Sequence, residues 1–191
     1  FMSTVSTRPI TTVEFERMIE HGVFEEGSLN PPRIELIHGA LHEIPPPNPP
    51  HEDCVDWLTE WSFEVTARSD VRVRVQNSIG IPGLDSLTLP DVAWMRQQSY
   101  RQQRPQPTDV LLLIEVADTS LSKDLGIKAE LYAKAAITDY WVVDINASTV
   151  HVHRDPVGRS FDTQFKAATG DELSPLAKPD VRLSVSKLFA I

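Results

Sequence analysis

Between Asp109 and Ile145 the hydrophobic pattern changes period in an order that restricts the fold more than any other stretch of the chain. DVLLLIEV at 109–116 is an almost unbroken apolar run closed by Glu115, the pattern of a strand buried on both faces. Residues 122–136 then place Leu125, Ile127, Leu131 and Ala135 as the packing set of a helix, and YWVVDI at 140–145 returns to strand. Strand, crossover helix and strand in that order favour parallel pairing, because parallel neighbours need a long crossover whereas a tight hairpin suffices for antiparallel ones. The sheet is therefore expected to be partly parallel.

The flanking segments extend that sheet. TVHVHRD and RSFDTQFKA read as an antiparallel hairpin beyond YWVVDI, VRVRVQ at 71–76 alternates strictly, and TLPDVAWM reads as one strand ending in the polar loop RQQSYRQQRPQPT. RIELIHGALHEI reads as two short strands around His38, Gly39 and Ala40. PPPNPP at 45–50 forbids regular hydrogen bonding and reads as a stiff connector, its partner-binding use being the weaker alternative. A helix follows from His51, with Cys54, Leu58, Trp61 and Val65 as its buried stripe and Trp57 widening it. Thr11 and Glu14 make a capping box for a short helix carrying Phe15, Met18 and Ile19. The fold class expected is α/β: a single domain over 1–191 with a mixed central sheet flanked by helices and an antiparallel extension. Residues 1–10 are read as a disordered or tag-derived start.

Composition removes several classes of function. No apolar stretch approaches the roughly 20 residues of a membrane span, and no secretory signal is recognisable, so the expected compartment is cytoplasmic. Cys54 is the only cysteine, which excludes an internal disulfide and a thiolate zinc site. The net charge of −9 opposes nonspecific affinity for nucleic acid. Charge is uneven, however: residues 1–67 carry three basic and twelve acidic groups, residues 68–104 six and three, and residues 105–191 nine and twelve. The basic zone brackets Asp91, and Arg72, Arg74, Arg96, Arg101 and Arg104 are its candidates for phosphate contact.

Glu115 is the least ordinary residue, since an ionised glutamate behind five apolar residues needs compensation. Either the strand ends there and the carboxylate meets water or an arginine, or it meets a cation. Asp91 enters a strand 24 positions earlier with only a loop between, so the two carboxylates can converge at neighbouring strand ends. Lys128 lies four residues after Asp124 and four before Tyr132, along one helix face. Lys123 lies five positions from Lys128 and off that face. His151 and His153 share a strand face in what reads as an exposed hairpin, and His38 and His42 flank a turn.

At these residues the chain resembles a known family. RIELIHGAL, His51 after the proline-rich loop, LPDVAW, LLLIEVADTS, KDLGIKAELYAKAAITDYWVVD and the hairpin after it look like the Uma family of restriction-endonuclease-like proteins, within the PD-(D/E)XK nuclease superfamily. The resemblance runs from Arg33 to about Arg154, and more loosely to Phe189. It implies a restriction-endonuclease-like fold, Asp91 and Glu115 as acids that bind Mg2+ (or Mn2+ in its place) with the Val116 carbonyl, and Lys128 as a catalytic lysine moved from strand to helix. The usual lysine position, two residues after the second acid, is Ala117 here. Glu35 matches a recurrent family acid, with His51, Gln76 and Asp124 as auxiliary residues of the same cleft.

Four carboxylates, Glu35, Asp91, Glu115 and Asp124, would then face one ammonium, and two like charges about 4 Å apart repel by roughly 4 kcal/mol at an effective dielectric of 20. Either a cation binds or one carboxylate keeps its proton. The function expected is metal-dependent hydrolysis of DNA phosphodiester bonds, with DNA as partner and a homodimer as a plausible assembly. The alternative is a catalytically silent nuclease-fold module for binding or assembly, favoured by the acidic surface.

Overall fold

In the computed structural model, which describes residues 8–25 and 32–190, a six-stranded sheet carries a hydrophobic core on each face. Its strands are β3 (Val71–Val75), β6 (Val92–Arg96), β7 (Val110–Ala117), β8 (Asp139–Asp144), β9 (Thr149–Val157) and β10 (Ser160–Ala167), in the order β10-β9-β8-β7-β6-β3. Only β7 and β8 pair in parallel; every other neighbouring pair is antiparallel. The expected mixed sheet with an antiparallel extension is what the chain forms, and the helical crossover after Glu115 is the reason for its one parallel pair.

Alternation along the strands sorts the two cores. Trp94, Leu112, Ile114, Val116, Trp141 and Val143 point to one face and pack against α2 (Pro49–Val65) through Cys54, Val55, Leu58 and Trp61. There Trp61 stacks on Trp94 with centroids 5.2 Å apart, and the Trp94 indole donates to the Ser62 hydroxyl at 2.8 Å. Ala93, Met95, Leu113, Ala117, Tyr140 and Val142 point to the other face, against the helix after β7. That helix is contiguous but not uniform: an α turn, α3 (Leu121–Lys123), a π turn over Asp124–Lys128, then α4 (Ala129–Lys134).

A second sheet, four-stranded and antiparallel, was not expected. It joins β1 (Arg33–Ile37) and β2 (Ala40–Ile44) to β4 (Ile79–Ile81) and β5 (Ser86–Thr88) in the order β2-β1-β5-β4. TLPDVAWM is thus two strands, β5 and β6, in different sheets, parted at Leu89–Asp91. The capping box of α1 (Thr12–Glu20) forms as expected. The proline run divides at Asn48, whose side chain accepts from the His51 amide and caps α2, leaving Pro49 and Pro50 as its first residues, where a missing N–H costs nothing. Residues 1–7 of the expected disordered start lie outside the described residues, whereas the Ile10 amide donates to Gly39 at 2.9 Å. A short sheet of β11 (Glu172–Leu173) and β12 (Leu183–Ser184) and α5 (Val185–Leu188) close the first core. Among the described residues no helix is long and apolar enough to cross a membrane.

His151 and His153 correct the reading of an exposed hairpin. Both lie on β9 within the sheet, 9% and 6% exposed, opposite Val142 and Tyr140. Burial, with His151 beside it, holds His153 down to about 4.

Candidate active site

The loop between β5 and β6, the C-terminal end of β7 and the π turn meet in a cleft of about 400 Å³ that Glu35, His51, Asp91, Glu115, Val116, Lys123, Asp124 and Lys128 line. Asp91 precedes β6, and the β6–β7 ladder runs only to Val92 opposite Ile114. Beyond that point the Asp91 carboxylate takes the place of backbone: Oδ2 accepts from the Val116 amide at 2.9 Å. Gln76 donates to Oδ1 at 3.2 Å, and His51 Nε2 lies 3.3 Å from Oδ2. Gln76 therefore touches the site from behind Asp91 and is not among the residues lining the cleft, while Arg33 holds its carbonyl oxygen at 3.2 Å.

Glu115 points to the helix side of the sheet. Its Oε1 accepts from Lys128 Nζ at 2.9 Å and from the Tyr132 hydroxyl at 2.8 Å. Lys128 Nζ is also 3.0 Å from Glu35 Oε1 and 3.7 Å from Asp124 Oδ1. Glu35, fully buried on β1, accepts in addition from the Leu89 amide at 2.9 Å and from Lys123 Nζ at 2.7 Å. The compensation that the apolar strand demanded is thus an ammonium with three carboxylates around it. Ala117, the position vacated by the usual lysine, is itself fully buried in the second core.

Lys123 overturns the expectation that it lies off the face of Lys128. In an α-helix residues five apart diverge, but the π turn between them hydrogen-bonds i to i+5 and winds more slowly, so both ammonium groups reach Glu35. A 3.6-residue period contains no signal for that insertion. Tyr132 and the Leu89 amide were also not assigned to the site from sequence. Tyr132 was placed on the Lys128 face, the one clue available; the amide has no sequence signature.

The charges follow from these contacts. Burial raises the Glu115 carboxyl well above the usual range, Lys128 opposes it, and Asp124, Asp91 and Glu35 add to the rise. Burial alone would lower Lys128, but Glu115, Glu35 and Asp124 outweigh it and hold the ammonium charged. Glu35 remains below the usual range because Lys128 and Lys123 overcome its desolvation. Asp91 is likewise lowered, its burial outweighed by His51, the Val116 amide and Lys128. Asp124 is raised, by burial first. Two of the four carboxylates, Glu35 and Asp91, are therefore held ionised, whereas Glu115 and Asp124 are short of positive charge.

Hard oxygen donors define what could bind there. Among the described residues no three His, Cys, Asp or Glu side chains are gathered into a cage for a metal. Magnesium does not require one, since it keeps several waters and is commonly held by one or two carboxylates. Asp91 and Glu115, on adjacent strand ends with the Val116 backbone between their side chains, fit that demand. The arginines of the basic zone do not rim the cleft as expected: Arg96 donates to the Thr108 carbonyl and Arg104 pairs with Glu16. The basic residues lining it are Arg33, Lys123 and Lys128.

A mixed sheet with acids at its strand ends and lysines on the crossover helix defines a nuclease-like α/β fold. The chain is similar to a crystal structure described as "a putative nuclease belonging to DUF820" from Anabaena variabilis ATCC 29413, with a TM-score of 0.73 and 18% identity over 95% of this chain and 98% of that one. The chain belongs to the Uma2 family, whose sequence model, described as "Putative restriction endonuclease", matches residues 13–186. No curated protein matches the sequence.

Proposed function

We propose that the protein is a magnesium-dependent endonuclease that hydrolyses DNA phosphodiester bonds in the cleft at the end of β7. The observation that carries this reading is the convergence of Asp91, Glu115 and Lys128 in one buried cluster, supported by the family to which the chain belongs. Asp91 and Glu115, with the Val116 carbonyl, would hold the metal, which supplies Lewis-acid polarisation of the phosphate and a more acidic water. Lys128 gives the developing negative charge a fixed positive partner, and preorganised charge of this kind acts without reorganisation during reaction. Glu35 holds both Lys123 and Lys128 in the cleft, and Lys123, the more exposed of the two, is placed to meet a phosphate oxygen. His51 and Gln76 fix the Asp91 carboxylate, and Asp124 shares Lys128.

The reading is tested with supercoiled plasmid, linear duplex and single strands, incubated with magnesium or manganese and separately with chelator. Cleavage that needs the metal and is lost in Asp91→Ala and Lys128→Ala is the expected result. Cleavage unchanged by both substitutions would exclude this site. Absence of cleavage and of metal binding together would favour a catalytically silent binding module, which the net charge of −9 also suits. The same preparations would show whether the protein acts as the homodimer that cutting both strands of a duplex would suit.

A further inference from the structure

The basic zone does not neutralise itself on folding. Among the described residues Arg68, Arg72, Arg74, Arg96 and Arg101 make no ion pair, in a chain with 27 acidic residues. Arg72 and Arg74 alternate with the valines of β3 that pack on the first core, so they share the opposite face, roughly 7 Å apart. Their guanidinium carbons lie 5.9 and 5.7 Å from the centre of the Tyr100 ring. Arg74 Nε is buried without a hydrogen-bond partner. Burial, then Arg72 and Arg104, hold its guanidinium below the ordinary value. Arg72 Nη1 donates to the Gln98 carbonyl at 3.0 Å, and neither guanidinium is paired with a carboxylate, so both keep N–H donors and full charge for an anion.

Position makes this cluster relevant to the cleft. β3 is the edge of the six-stranded sheet, and its ladder with β6 sets Arg74 opposite Ala93 and carries on to the Gln76 amide, which donates to the Asp91 carbonyl at 2.9 Å. By strand geometry the Arg74 backbone is roughly 8 Å from that of Asp91, with Arg72 two residues farther out on the same face. Tyr100 also lines an open groove of about 500 Å³ beside α1, with Arg101, Gln102, Gln103 and Gln106. Amides and an aromatic ring can meet a base through hydrogen bonds and stacking, while arginines meet phosphates. A duplex offers phosphates on two strands and calls for a broad basic face, whereas Arg72 and Arg74 make one narrow cluster against a single aromatic ring.

We propose that Arg72, Arg74 and Tyr100 form a docking track for a single nucleic-acid strand: the guanidiniums take its phosphates, the Tyr100 groove takes a base, and β3 leads the strand to Asp91. The proposal extends the nuclease reading and rests on it.

Binding is measured by fluorescence anisotropy with a labelled single-stranded oligonucleotide and its duplex, in chelator so that nothing is cut. The wild-type protein is expected to prefer the single strand. Arg72→Gln with Arg74→Gln is expected to weaken that binding about tenfold or more at low salt and to flatten the salt dependence by about 1.4 in log–log slope. Arg72→Lys with Arg74→Lys should keep most of the slope, Tyr100→Phe should bind as wild type, and Tyr100→Leu should bind more weakly. Arg159→Gln, whose guanidinium pairs with Glu130 elsewhere, is the reference and should change nothing. An unchanged affinity and slope in the Gln double variant, a wild-type preference for duplex, or no binding of either oligonucleotide would overturn the track. Arginine-dependent binding without cleavage in magnesium would refute the nuclease reading alone. Cleavage with wild-type binding in the double variant would refute the track alone.

Discussion

Lys128 is the residue on which stability and the proposed chemistry meet. The residue is 5% exposed and its ammonium contacts Glu35, Glu115 and Asp124; removing it strands buried carboxylates whose desolvation is then uncompensated. Lys128→Ala is expected to lower unfolding stability by about 3–5 kcal/mol, read from urea denaturation at neutral pH, as well as to abolish cleavage. A loss under 1 kcal/mol would mean that Lys123 or water already satisfies the cluster. His153 gives a pH signature of its own. It is held down to about 4 when folded against roughly 6.5 unfolded, so the unfolded chain binds more protons between those values. Stability is then full above about 6.5 and falls as pH drops toward 4. His153→Phe should flatten the stability curve in that window, and an identical curve would show that other groups set the acid sensitivity. Glu115 was legible at this scale because an acid behind five apolar residues demands a partner. The burial of His151 and His153 was not, because alternation places two residues on one face without saying which face is covered.

At the scale of elements, the helix after β7 departs most from its sequence pattern. Its apolar spacing announces a helix, but the π turn at Asp124–Lys128 carries both lysines to Glu35. Gly126 lies inside that turn, exposed, with nothing within 4 Å of an added Cβ and no positive φ. Gly126→Ala is therefore expected to stabilise the protein by about 0.5–1 kcal/mol, seen as a higher urea midpoint with an unchanged slope. A destabilised variant would indicate that the turn needs glycine's freedom. The three-residue strands β4 and β5 are the other departure. IGI and SLT are too short to show a period, and they become strands because the β1–β2 hairpin offers an edge to β5 and β5 in turn pairs with β4.

For the molecule as a whole, both cores rest on one six-stranded sheet. We expect the chain to behave as one domain: tryptophan fluorescence, which reports the Trp61, Trp94 and Trp141 cluster, and far-ultraviolet dichroism should give coincident unfolding curves. Separated transitions would divide the chain into independent units. Magnesium should raise the thermal midpoint by binding the native state alone, and Asp91→Asn should remove that rise; an equal rise in the variant would place the ion elsewhere. By itself the sequence determined the β7–helix–β8 crossover, its parallel pairing and the antiparallel hairpin beyond it, and it singled out Glu115, because hydrophobic period and an acid in an apolar run are local properties; Asp91 and Lys128 joined Glu115 through the family resemblance. Only the tertiary structure decided which carboxylates share which ammonium, that Lys123 joins Lys128, and that the cleft's basic residues are not those of the 68–104 zone. Those outcomes depend on where strands end, how a helix is wound and which face is covered, and each is fixed by contacts between residues far apart in the chain.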